Sequence, residues 1–143
     1  MLVKQVSAFI ENKAGRLSEI ADVLAANNID ISALSLAEAA EYGILRMIVN
    51  DPEAAVKVVK ESGIVCRITT VLAVAIDDIP GGFANALHVL TDAGIEIKYM
   101  YAGVGRTADK ALMIVSVDNP EAADELISKT PYSDVDPREI YRI

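Results

Sequence analysis

Two short segments carry the residue types from which a binding site can be made. Residues 12–17, Asn12-Lys13-Ala14-Gly15-Arg16-Leu17, and residues 78–83, Asp78-Ile79-Pro80-Gly81-Gly82-Phe83, each place an Asn or Asp three positions before a glycine that opens an amphipathic run. A helix start leaves backbone N–H groups without intrahelical partners and carries partial positive charge. It therefore holds a carboxylate, an effect worth about 0.3–1 kcal/mol at an exposed site. Glycine lets a ligand approach the backbone closely. The Asn or Asp oxygen can accept a hydrogen bond from an ammonium group, and apolar helix and strand residues nearby can enclose a side chain. That combination suits a free amino acid. The same residues equally suit a structural role, because Asn or Asp before a helix caps it and glycine forms the turn.

Other chemistry has little to draw on. Nucleophilic or acid–base catalysis needs groups brought together, and the chain has one histidine, His88, and one cysteine, Cys66. His88 aligns with Asp22 on the polar side of a helix and reads as a solvated surface residue; Cys66 lies in an apolar run and reads as a small core residue. A lone cysteine allows neither an intrachain disulfide nor a C-x-x-C metal or redox motif. Tyr99 and Tyr101 stand two apart on a strand, where they can pack, make an edge contact or wall a small ligand. The G-x-G of Gly103-Val104-Gly105 follows a strand but precedes another strand, so it is expected in a hairpin loop and not around a nucleotide phosphate.

The elements that must hold the two segments come twice as well. Shifting residues 12–31 by 66 positions aligns all 20 with residues 78–97 without a gap, and Gly15/Gly81, Val23/Val89, Leu24/Leu90, Ile29/Ile95 and Ile31/Ile97 are identical. Residues 2–10 read as a strand. Leu17, Ile20, Ala21 and Leu24 then recur at three- and four-residue steps on a helix, with Phe83, Leu87 and Leu90 as the second copy's stripe. Asn28 and Gly94, at matching positions, accept the left-handed conformation that ends a helix. Alternating strands begin at Ile29 and Ile95, and third strands follow at residues 43–50 and 111–118. Asp51-Pro52-Glu53 and Asn119-Pro120-Glu121 each supply a cap, a proline at the first helical position and an early acid. Each half is thus strand-helix-strand-strand-helix-strand, an α+β, ferredoxin-like (βαββαβ) plan. Residues 64–77 must serve both halves with hardly any linker, and the terminal Arg138-Glu139-Ile140-Tyr141-Arg142-Ile143 is expected to close one of them. The division falls at 1–68 and 69–143.

Halves of about 70 residues have marginal cores alone, so the two are expected to share a sheet or bury faces together. Thirteen basic residues against 21 acidic ones give a net charge of −8, with no segregated basic stripe, which disfavours nucleic acid as a partner. The charge-free stretch near the middle, residues 68–76, is far short of the roughly 20 residues that cross a bilayer. The first residues meet charges too early for a signal-peptide core. A cytoplasmic protein without membrane contact is the expectation.

At residues 12–17 and 78–83 the sequence resembles a tandem pair of ACT domains, small regulatory modules that bind amino acids. The family's loop is Asn or Asp, any residue, Pro, Gly, any residue, then an apolar residue. Residues 78–83 match it throughout, and residues 12–17 match except that Ala14 replaces proline. The resemblance covers nearly the whole chain. It implies two units side by side with antiparallel sheets joined or abutting, and effectors at their interface, held by the loop of one unit and walled by the second strand of the other. Carried over, Asn12, Ala14, Gly15, Arg16 and Leu17 form one loop and Asp78, Pro80, Gly81, Gly82 and Phe83 the other, with Ile31, Ser32, Lys98 and Tyr99 as walls. It further implies an amino-acid sensor without catalysis, cofactor or metal; the alternative is a regulatory or assembly subunit of a separate enzyme of amino-acid metabolism. Homodimerisation fits either reading.

Overall fold

The computed structural model describes residues 1–107 and 110–143. The chain runs β1 (Leu2–Glu11), α1 (Arg16–Ala26), β2 (Ile31–Ala39), β3 (Tyr42–Val49), α2 (Pro52–Glu61), β4 (Cys66–Asp77), α3 (Gly82–Thr91), β5 (Ile97–Thr107), β6 (Lys110–Val117), α4 (Pro120–Ser128) and α5 (Pro137–Tyr141). Every strand pairing is antiparallel, and the order β1-β3-β2-β5-β6-β4 closes on itself as a barrel.

The 12 residues of β4 serve both repeats. Cys66 to Leu72 pair with Ala8 to Leu2 of β1, and Leu72 to Asp77 pair with Val115 to Lys110 of β6. One strand thus ends the first unit's sheet and begins the second's, and the 68/69 division falls inside it. On the opposite side the seam between the units is thin: among the described residues β2 and β5 meet at a single bridge, Ala33 with Gly103.

Alternation along the strands sorts side chains between two kinds of core. Val6, Ala8 and Ile10 of β1 join Leu45, Met47 and Val49 of β3 under Ile20 and Leu24 of α1 and Ala55 and Val59 of α2. Leu72, Val74 and Ile76 of β4 do the same under α3 and α4. The opposite parity faces the barrel interior, where Val3, Ala33, Ile48, Val71, Ala73 and Ile114 meet. Helix signals fall where the pattern puts them. Asp51 and Asn119 accept from the amides of Ala54 and Ala122 at 3.0 and 3.2 Å, each with proline next. Asn28 (φ 57°) and Gly94 (φ 76°) are left-handed beyond α1 and α3.

Two expectations change. The terminal segment supplies no strand: residues 137–141 are the short helix α5, capped by Asp136, and Ile140 is fully buried in the interior cluster. Pro137 fixes φ and brings a helix start where a strand would need a ladder donor. The second unit therefore lacks a fourth strand of its own. The G-x-G also lies within strand β5 and not in a loop, because β5 continues to Thr107, which pairs with Lys110; residues 108–109 of the expected loop lie outside the described residues.

Candidate functional site

The two repeated loops take the same backbone path. Gly15 sits at φ 83°, ψ −10° and Gly81 at φ 86°, ψ −15°, both left-handed N-caps. An added Cβ at either would touch nothing within 4 Å, so the requirement for glycine is conformational. The first helical amides are tied back into the turn, Arg16 N–H to the Lys13 carbonyl at 3.2 Å and Gly82 N–H to the Ile79 carbonyl at 3.0 Å. Neither helix receives a side-chain cap, whereas α2 and α4 do. The second and third amides of α1 and α3 thus begin helices whose N-cap residue gives them no acceptor.

Around these starts the surface is open. Asn12, Lys13, Ala14 and Gly15 are exposed, as are Asp78, Ile79, Pro80 and Gly81. Leu17 and Phe83, at equivalent positions, are 41% and 44% exposed, so each loop presents one apolar side chain at the surface. Phe83 also lines an apolar cavity between α3 and its sheet, with Leu87, Met100 and Met113. The loops differ in their moorings. Asn12 donates from its side-chain amide to the Ala40 carbonyl at 3.0 Å and from its backbone to the Glu41 carbonyl at 3.2 Å, fastening the first loop to the β2–β3 turn. The Lys13 ammonium pairs with Glu11 at 2.9 Å, which raises the lysine pKa and lowers that of the exposed carboxylate. In the second loop a Cβ on Gly82 would lie 2.1 Å from the Asp77 carbonyl oxygen, so the chain folds back where no side chain fits.

The four residues expected as walls separate into two groups. Lys98 is exposed and Tyr99 half-buried, while Ile31 packs partly against the first core. Ser32 is buried, its hydroxyl donating to the carbonyls of Ile140 and, at 3.3 Å, Ile48. The β1–β4 register puts the two loops at opposite ends of that ladder. Running antiparallel through the bridge at Ala33 and Gly103, β5 begins toward the end of β2 and β2 begins toward the end of β5. Lys98 and Tyr99 therefore head toward the first loop's end of the barrel, and Ile31 and Ser32 toward the second's.

Between the units lies a polar cluster that the sequence reading missed. The fully buried Gln5 donates to the Ser7 hydroxyl at 2.9 Å and the Tyr99 hydroxyl at 2.8 Å, and its carbonyl accepts from Tyr101 at 2.8 Å. The Arg46 guanidinium stacks on the Tyr99 ring, 3.6 Å from the centroid. Burial raises the Tyr101 pKa, Tyr99 adds to the rise and Arg46 opposes it. A signal existed: Gln5 and Ser7 share the parity of Val3, so polar groups stood at positions on that strand's interior face.

The remaining reactive groups stay outside this arrangement. Cys66 is buried, its thiol 3.5 Å from the Val56 carbonyl and its pKa raised by desolvation. His88 is exposed, 3.8 Å from Asp92 one turn on. Among the described residues no group of three or more His, Cys, Asp or Glu side chains could hold a metal ion, and no helix is long and apolar enough to cross a membrane.

The family model for the ACT domain pair matches residues 1–143. Among solved structures, protein BT0572 from Bacteroides thetaiotaomicron is similar at 36% identity and TM-score 0.90, over 100% of this chain and 98% of that one. The regulatory subunit of aspartate kinase from Thermus thermophilus, in its ligand-free form, shares the fold at 13% identity and TM-score 0.63, over 90% and 96% of the two chains. The same subunit from Thermus flavus gives 13% and 0.62, over 90% and 94%. No curated relative matches the chain.

Proposed function

The chain belongs to the ACT-domain-pair family, and from that premise we propose that it is an amino-acid-binding regulatory protein whose effector sits between the two units. The observation that carries this reading is the contrast among its helix starts. The two that recur with a left-handed glycine have no side-chain cap, whereas α2, α4 and α5 are capped by Asp51, Asn119 and Asp136. Uncapped amides beside an exposed Asn12 or Asp78 and an exposed Leu17 or Phe83 are what a carboxylate, an ammonium and an apolar side chain would require. Lys98 and Tyr99 would close the first site and Ile31 and Ser32 the second. Binding would shift the relation of the two halves by its differential affinity for their arrangements, commonly about 1–3 kcal/mol of coupling.

A thermal-shift screen of the free amino acids at millimolar concentration tests the proposal. At least one should raise the melting temperature, and Asn12→Ala with Asp78→Ala should abolish the rise. No shift with any amino acid removes the reading. The fold shared with regulatory subunits of aspartate kinase favours a second reading, a subunit acting on a separate enzyme through protein contact. Copurification of such an enzyme, unaffected by amino acids, would favour it over the first.

A further inference from the structure

The barrel has two unlike ends. At the second loop's end Ile140 of α5 enters the interior cluster. At the first loop's end the interior face turns polar and basic along one row of the sheet. Arg67 of β4, Ser7 of β1, Arg46 of β3 and Ser35 of β2 stand in register, with Ser7 directly opposite both arginines. Residues opposite one another on a ladder share a face, and neighbouring strands lie about 4.8 Å apart, so the two arginines flank Ser7 at one strand's distance on either side. Among the described residues neither guanidinium meets a carboxylate: Arg46 lies over the Tyr99 ring, leaving its in-plane N–H groups without an acceptor, and Arg67 is exposed and without a partner. Glu11, the acid on β1, pairs with Lys13 instead. Two uncompensated like charges across from one residue repel each other, and an anion between them would offset that.

Beside the arginines the Gln5 amide fixes two hydroxyls. Its nitrogen donates to Ser7 Oγ at 2.9 Å and to Tyr99 Oη at 2.8 Å, so both hydroxyls accept from Gln5 and keep their own protons, which have no acceptor among the described residues. Ser7 is only 6% exposed, so its unused donor is largely shut off from bulk water. The two oxygens share one donor nitrogen, and the ring of Tyr99 carries the Arg46 guanidinium 3.6 Å from its centroid. Ser7, Tyr99 and Arg46 thus lie within reach of one small molecule. Two positions outward along the strands the same face is apolar, where Phe9 stands opposite Ile44 and Ile44 opposite Ala37, and Phe9 is 39% exposed.

We propose that this end of the barrel binds a small organic anion, a carboxylate or phosphate head with a short apolar tail. The head meets Arg46 and Arg67 and accepts from the Ser7 and Tyr99 hydroxyls, and the tail lies along Phe9 and Ile44. Both repeats contribute, Tyr99 coming from the second and the other residues from the first or from β4. This site goes beyond the loop reading: it asks for no ammonium group, uses no residue of segments 12–17 or 78–83, and shares only Tyr99 with the walls expected there.

The test is calorimetric titration of hexanoate, hexyl phosphate, acetate and the uncharged hexanamide into the full chain. At least one of the two tailed anions should bind at least about tenfold more tightly than acetate and hexanamide, and the tighter of the two identifies the head as carboxylate or phosphate. Arg46→Gln should weaken that binding by about tenfold or more, and the exposed Arg67→Gln by about fivefold. Arg142→Gln removes an exposed arginine paired with Asp30 away from this row and should leave the affinity within roughly twofold. Should Arg46→Gln fail to fold, Arg67→Gln carries the test, since its side chain is exposed and bonded to nothing that a glutamine would disturb. The proposal is overturned if neither tailed anion binds, if hexanamide binds as well as they do, or if Arg67→Gln leaves their affinity within roughly twofold. Equal weakening by Arg142→Gln and Arg67→Gln assigns the binding to net charge and overturns it too.

Discussion

Gly15 and Gly81 share one backbone conformation, φ 83° against 86°, yet the residue after each meets different surroundings. Arg16 carries a side chain that reaches Glu19 at 2.8 Å, whereas Gly82 has the Asp77 carbonyl where its Cβ would be. The first loop is held from the side, by Asn12 on the β2–β3 turn, and in the second the chain folds against its own backbone at Gly82. Duplication therefore kept the turn and changed what surrounds the residue that follows its glycine.

The sharpest way to break that comparison is substitution at the position after the glycine. Gly82→Ala forces a methyl group onto a backbone oxygen that has no rotamer to yield, and the loss of stability should be about 3 kcal/mol or more. Arg16→Ala, at the equivalent position, should cost under about 0.5 kcal/mol, since it removes one partly exposed ion pair. Urea unfolding midpoints measure both. Costs within about 1 kcal/mol of each other would mean that the loops are fixed alike.

A second test asks whether the halves are held by their loops or by what lies between them. Gln5 belongs to the first repeat and Tyr99 and Tyr101 to the second, so Gln5→Ala strands two phenol hydroxyls in the barrel. The expected loss is about 2–3 kcal/mol, against roughly 0.5–1 kcal/mol for Asn12→Ala, which frees an exposed carbonyl to water. Near-equal losses would place the loop mooring on a par with the buried cluster.

How much of this was legible follows from the range of the interactions. The repeat, helix caps, left-handed residues and shared use of residues 64–77 were readable because each depends on neighbours in sequence. Residues 138–143 misled, because a short run containing Ile140 and Tyr141 fits a strand or a helix turn, and only the space left at the barrel end selects the helix. Gln5 could be singled out by parity, but its partners lie 94 and 96 positions away, beyond any local pattern. Gly82 looked like part of a ligand-approach motif, and the structure adds a steric reason confined to this chain's own backbone.

The same interior cluster gives stability an alkaline pH dependence. Burial raises the Tyr101 pKa above the ordinary tyrosine value of 10.0. The folded state then binds this proton more tightly than the unfolded chain, so its stabilising contribution is full below pH ~10 and declines as pH rises beyond it. The slope should approach about 1.4 kcal/mol per pH unit, and Tyr101→Phe should remove that component while lowering stability at neutral pH. Denaturant midpoints between pH 8 and 11.5, on the order of half-unit steps, measure it. An equal alkaline decline in Tyr101→Phe would assign the loss to other groups.

More modest effects than at Gly82 or Gln5 come from the helix starts that duplication left alike, and they supply the control for the rest. Asp51 and Asn119 accept the third helical amide at 3.0 and 3.2 Å, each followed by proline and a glutamate. Replacing either with alanine should cost about 1 kcal/mol, and Asp51→Ala slightly more, because its charge also meets the positive end of the helix. Asp51→Asn should bring the two sites level, as read by denaturation of the three variants. Equal caps beside unequal loops would locate the divergence of the repeats at residues 12–17 and 78–83. A marked difference between Asp51→Asn and the unmodified chain would mean that the repeats diverge throughout, and the unequal loops would lose their claim to a separate role.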